Sequence, residues 1–130
     1  MSESPIPLAT DLVAKHVVDA AFQVHQALGP GLLESAYEEC LSYELAQRDI
    51  EHKRQVAMPL MYKGLKLDVG YRIDLLVASC VVVEVKAIES LAPIHQAQLM
   101  TYLKLTEHRL GFLMNFNVRL FKDGVRRVVL

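Results

Sequence analysis

Two apolar runs, Tyr71-Arg72-Ile73-Asp74-Leu75-Leu76-Val77 and Val81-Val82-Val83-Glu84-Val85-Lys86, are separated only by Ala78-Ser79-Cys80. Their valine and leucine content and the short break predict an antiparallel β-hairpin. If Val77 pairs with Val81, stepping back along both strands sets Asp74 opposite Glu84. Side chains alternate between the two faces of a strand. Ile73, Leu75, Val77, Val81, Val83 and Val85 should therefore share one apolar face, and Arg72, Asp74, Leu76, Val82, Glu84 and Lys86 the other. Directly opposed residues have Cβ atoms about 4.5–5.5 Å apart, where like charges destabilise a sheet. At an effective dielectric near 20, two charges about 5 Å apart repel by roughly 3 kcal/mol. A cation between the carboxylates would remove the conflict, and a divalent metal ion is the natural candidate.

Mg²⁺ typically takes one or two carboxylates and completes its shell with waters and substrate phosphate oxygens. Phosphodiester hydrolysis also needs a group that holds or polarises the attacking water. Lys86 lies two residues beyond Glu84 on the same face, and the Val85 carbonyl offers a further metal ligand. A plainer reading makes Glu84–Lys86 and Arg72–Asp74 ordinary surface ion pairs. Strand geometry alone does not separate the two.

A chain of 130 residues suits one domain with its own core, and 52% hydrophobic with 22% charged residues is ordinary globular composition. The N-terminus, Met1-Ser2-Glu3-Ser4-Pro5, has no signal-peptide pattern. The longest apolar run, Leu75 to Val83, is too short to span a bilayer. Cys40 and Cys80 fit no zinc or redox spacing and are expected to be buried, reduced thiols, which together point to a cytoplasmic protein. The net charge of −1 lacks the basic excess of a dedicated duplex-DNA binder. Basic residues cluster only locally, at His52-Lys53-Arg54, at Lys63 and Lys66, and from Arg109 to Arg127. Solvated strand faces explain such clusters as well as a phosphate track does.

Residues 1–9, with Pro5 and Pro7, are expected to be a flexible terminus, followed by one domain over 10–130. Helical periodicity begins at Thr10, with Thr10 or Asp11 as N-cap, and ends at Gly29-Pro30-Gly31. A second helix should run to about Gln47 on a stripe of Leu33, Ala36, Cys40, Leu41 and Leu45, leaving Glu34, Tyr37 and Glu38 off its centre. Strands are expected over Gln55–Tyr62 and, bent near Gly70, over Leu65–Val77. A helix from Pro93 to about Leu105, capped by Ser90, precedes a strand over Leu110–Phe116. A terminal hairpin should turn at Asp123-Gly124. This order predicts an α/β (α+β) fold with a mixed sheet and helices against it.

The motif Gly31-Leu32-Leu33-Glu34-Ser35-Ala36-Tyr37 resembles the signature of the GxxExxY family of small bacterial proteins, a branch of the PD-(D/E)XK nuclease superfamily. The resemblance continues, in order, through Arg72-Ile73-Asp74, Glu84-Val85-Lys86, His95-Gln96-Ala97-Gln98 with Tyr102-Leu103, and Asn115-Phe116. It implies a restriction-endonuclease-like core and phosphodiester hydrolysis by attack of a metal-bound water, with Mg²⁺ or Mn²⁺ as cofactor. Carried onto this chain, Asp74 and Glu84 become the metal carboxylates, Lys86 the active-site lysine, Glu34 an acid from the preceding helix, and Gln98 a residue that orients substrate or a catalytic group. Ile73 replaces the proline of the motif name, a position where the superfamily tolerates change.

Tyr37, three residues after Glu34, is expected to buttress that carboxylate or fill a gap, and Tyr102 to support the site. His95 faces either the site or its own helix, while His25 reads as a packed or capping group. No phosphate-binding glycine loop and no Ser/His/Asp order occurs. The expected partner is nucleic acid, DNA or RNA, and a homodimer would enlarge the binding surface. The competing reading is a non-catalytic module of the same fold that binds nucleic acid or docks to a partner.

Overall fold

The computed structural model describes residues 4–130. Helices α1 (Leu8–Leu28) and α2 (Glu34–Gln47) precede strands β1 (His52–Ala57), β2 (Leu60–Tyr62), β3 (Leu65–Leu67), β4 (Arg72–Val77) and β5 (Val81–Lys86). Helix α3 (Pro93–Thr106), strand β6 (Leu110–Asn115), a 3₁₀ turn (Phe121–Asp123) and strand β7 (Val125–Val129) complete the chain. Five strands form one sheet in the order β1-β4-β5-β6-β7, while β2 and β3 form a separate two-stranded arm. Among the described residues only β5 and β6 run parallel, joined by α3 as parallel neighbours require. The fold is therefore α/β, a mixed five-stranded sheet flanked by helices.

Alternation along the central strands divides the core into two layers. Val81, Val83 and Val85 of β5, with Leu110, Phe112 and Met114 of β6, pack with Val17, Val24, Tyr37 and Leu41 of α1 and α2. Val82 and Leu113 point the other way, toward Leu99 and Leu103 of α3. Gly111 lets α3 settle on β6, because a Cβ there would press on the Leu99 and Leu103 side chains.

Several boundaries differ from the sequence reading. Helix α1 starts at Leu8, after Pro7, whose extended conformation sets up the turn and whose carbonyl accepts the Asp11 N–H. Asp11 is thus inside the first turn, paired with Arg127, and neither it nor Thr10 is the cap. Of the expected flexible terminus, residues 1–3 lie outside the described residues, whereas the Ser4 and Pro5 carbonyls accept bonds from Arg109. Leu33 is the N-cap of α2 and exposed, so the buried stripe is Tyr37, Glu38, Leu41 and Leu45.

Pro59, which has no N–H to give a ladder, separates β1 from β2, and the anticipated long strand is split into β3 and β4. Helix α3 is capped at Ala92, with Pro93 in its first turn, instead of at Ser90. The terminal hairpin pairs β7 with β6, because residues 121–123 coil into the 3₁₀ turn. Gly124 makes that turn fit, since a Cβ would run into the Asn115 carbonyl.

Candidate functional site

The β4–β5 hairpin has the register read from its loop: Val77 pairs with Val81, Leu76 with Val82 and Leu75 with Val83. The ladder stops there, one residue short of Asp74 and Glu84. On the other side of β4, β1 pairs at residues 72, 73, 75, 76 and 77 and also skips Asp74. The position that would face it is Gln55, which lies within β1 with a left-handed φ of 50°. Carboxylates take over the missing backbone bonds. Glu84 Oε2 accepts the Asp74 N–H at 3.0 Å, and Asp74 Oδ2 accepts the Val85 N–H at 2.8 Å. One expectation fails here: Ile73 packs with Met58 and Val82 in the α3-side layer, apart from Leu75, because β4 leaves β5 before reaching it.

The two acids are electrostatically tied. Burial, then the charge of Asp74, pushes the Glu84 carboxyl up to about 8, only partly offset by the Asp74 N–H and by Lys86. A proton shared from Glu84 to Asp74 adds to the rise. Glu84 is 7% exposed, so little solvent screens the pair. Among the described residues the ion pairs within 4.0 Å are Arg48–Asp19, Arg54–Glu38, Arg54–Glu39 and Arg127–Asp11. Neither Glu84–Lys86 nor Arg72–Asp74 is among them, which removes the main support of the surface-pair reading.

Glu34 opens α2 and faces the same region from a different element. Its carboxyl is raised by burial and by the charges of Asp74 and Glu38, against the lowering pull of Lys86 and the Ala87 N–H. Tyr102 of α3 lies on the opposite side, its hydroxyl raised by burial and by Glu84, Tyr71 and Asp74. Its ring also meets Tyr71, 6.4 Å between centroids. Asp74, Glu84, Lys86, Glu34 and Tyr102 thus belong to one electrostatic cluster. Gln98 is exposed one helical turn before Tyr102, on the same face of α3.

Three other residues have local structural work. Tyr37 does not bond Glu34: its hydroxyl donates to the Gly29 carbonyl at 2.6 Å and accepts the Leu32 N–H, and its ring stacks on Phe116 at 4.7 Å. It thereby fastens the glycine loop from which Glu34 emerges. His95 Nδ1 accepts the Ala92 N–H at the start of α3. His25 bonds the Val118 carbonyl and packs against Phe116 and Phe121.

Sequence reasoning missed Gln55 and Glu38, and marked Asn115 only as part of the family resemblance. Gln55 Nε2 donates to Glu38 Oε1 at 2.8 Å and to Asp74 Oδ1 at 3.2 Å. Arg54 in turn holds Glu38 Oε2 through Nε and Nη2. Asn115, buried at the end of β6, bonds both backbone groups of Ile88 and so fixes the exit of β5 behind Lys86. Gln55 faces Asp74 only through the β1–β4 register, which no short loop fixes because the β2–β3 arm intervenes, and nothing in the spacing marks Glu38 or gives Asn115 a role.

The described residues contain no cluster of three or more His, Cys, Asp or Glu side chains that could hold a metal. Two carboxylates with adjacent backbone oxygen nevertheless suit Mg²⁺ or Mn²⁺, which draw few protein ligands. Burial and then the Asp74 charge raise Glu84 to about 8, a conflict that a cation between the two carboxylates would relieve, so the residues fit such an ion. No helix among the described residues is long and apolar enough to cross a membrane.

No curated protein and no solved structure is matched by this chain. The family model of the PD-(D/E)XK nuclease superfamily matches it over residues 11–128, from the first turn of α1 to the last strand. That span contains the β4–β5 hairpin with its Asp74, Glu84 and Lys86, and the chain belongs to the PD-(D/E)XK nuclease superfamily.

Proposed function

We propose that the chain is a divalent-cation-dependent nuclease of the GxxExxY branch that hydrolyses phosphodiester bonds in nucleic acid. The observation that carries this reading is the reciprocal capture of backbone N–H groups by Asp74 and Glu84, with Glu84 driven up to about 8 beside it. Asp74, Glu84 and the Val85 carbonyl would hold Mg²⁺ or Mn²⁺. Such an ion neutralises phosphate charge and acidifies a water. Lys86 supplies the ammonium that orients the attacking water and the scissile phosphate. Glu34, approaching Lys86 from α2, accepts a proton or a water hydrogen bond on that side. Gln98 and Tyr102 line the α3 side, where an amide and a phenol can bond substrate oxygens, and His95 holds the start of that helix. Tyr37 supports the site through the Gly29–Leu32 loop. The assignment to cytoplasm and to a homodimer is part of the same reading.

A non-catalytic module of the same fold is the second reading, favoured by the net charge of −1. Labelled single- and double-stranded DNA and RNA, incubated with protein and Mg²⁺ or Mn²⁺, separate the two. The nuclease reading expects cleavage that chelator abolishes and that Glu84→Ala and Lys86→Ala lose while their melts stay cooperative. Binding without cleavage on every substrate supports the module.

A further inference from the structure

We propose that Gln55, held by Glu38, is a positioning residue that fixes Asp74 for cation binding; this rests on the metal-site reading above. Three observations converge on it. Gln55 stands where β1 would pair with Asp74, and the ladder is interrupted at that one pair. Its φ of 50° is left-handed backbone inside a strand, a conformation that is strained for a non-glycine residue and persists only when something over-determines it. Its side-chain nitrogen spans two carboxylates, Glu38 Oε1 and Asp74 Oδ1.

The amide has no freedom to turn over. Both partners are carboxylate oxygens, which accept, so the NH₂ end must lie between them and each of its hydrogens has one destination. Glu38 is itself immobilised: it is 7% exposed and receives two bonds from Arg54. With Oδ1 tied to Gln55 and Oδ2 to the Val85 N–H, the plane of the Asp74 carboxylate is set from both sides. Each oxygen has a second lone pair, which a cation could take. Partners that orient a metal-binding carboxylate typically change metal affinity 10–100-fold when removed.

Glu38 touches Gln55 and has no described bond to Asp74, so any orienting effect it has on that carboxylate passes through the amide, beside the through-space influence of its charge. Glu38→Gln keeps size and an oxygen for Arg54 but presents NH₂ to Gln55. The Gln55 amide must then reverse, setting its oxygen against Asp74 Oδ1. Gln55→Met removes the donor, and Gln55→Gly also relieves the left-handed backbone.

The test is Mn²⁺ affinity by titration calorimetry of the intact protein, with thermal melts in chelator alongside. Gln55→Met should weaken Mn²⁺ binding at least tenfold. Gln55→Gly should do the same while melting no lower than wild type in chelator, a combination that a purely structural residue would not give. Glu38→Gln should weaken binding in wild type but have little further effect in the Gln55→Met background. Wild-type affinity in Gln55→Met, or additive effects of the two substitutions, would overturn the positioning role and leave the metal site standing. A wild-type protein that binds no Mn²⁺ would overturn the metal site and the positioning role together.

Discussion

Glu84→Gln offers a test of the acid pair that needs no substrate. In the fold, burial and the Asp74 charge raise the Glu84 carboxyl from 4.5 to about 8. Between those values the unfolded chain releases a proton that the folded protein keeps. Stability contributed by neutral Glu84 is therefore complete at low pH and is lost as pH rises from about 4.5 to 8. Each unit of pKa difference corresponds to about 1.36 kcal/mol, so crossing the window costs the fold on the order of 5 kcal/mol. A glutamine reproduces the protonated acid: its oxygen accepts the Asp74 N–H, its NH₂ faces the Asp74 carboxylate, and it does not titrate. Urea unfolding in chelator should find the two proteins similar near pH 5, with Glu84→Gln the more stable by several kcal/mol at pH 8.5. Asp74 is the poorer choice for this test, since both its oxygens already accept bonds. A gap that stays constant from pH 5 to 8.5, or one that narrows, would refute the coupling.

Wild type should gain about 2.7 kcal/mol from Mn²⁺ at a hundredfold excess over its dissociation constant, and Glu84→Gln much less, which melts across a metal titration would read. Tyr37→Phe removes a hydroxyl that bonds both Gly29 and Leu32, so denaturant melts should show a loss of about 1–3 kcal/mol. Gly124→Ala should lower the melting temperature by several degrees, because the Asn115 carbonyl must move to admit the methyl group. Nucleic-acid binding, followed by fluorescence anisotropy, should weaken steeply between 50 and 200 mM salt, about as expected for local basic patches neutralising phosphates.

The hairpin register was legible because a three-residue loop and a period of two leave one pairing of Val77 with Val81. The mixed sheet followed from the alternation of helical and strand-like segments. What β4 does at Asp74 was hidden, since it depends on the left-handed backbone of Gln55 and on carboxylates that replace backbone partners. Tyr37 lies on the buried stripe of α2 and not off its centre, because Leu33, which the periodicity includes, is the exposed N-cap of that helix. The last hairpin was misread because the turn signal at Asp123-Gly124 ends a 3₁₀ turn, and the partner of β7 lies earlier, in β6. The approach of Glu34 to Lys86 joins residues 52 positions apart through helix packing, which local periodicity does not encode.

Single-turnover cleavage with excess enzyme asks whether Asp74, Glu84 and Lys86 form a cation-dependent phosphodiesterase centre. Each substrate class should be run in Mg²⁺, in Mn²⁺ and in chelator, with wild type and Lys86→Ala. At least one substrate should be cleaved in Mg²⁺ or Mn²⁺ and none in chelator, with a loss of a hundredfold or more in Lys86→Ala while Mn²⁺ binding is retained. Cleavage that persists in chelator, or that proceeds at the wild-type rate in Lys86→Ala, would contradict such a centre.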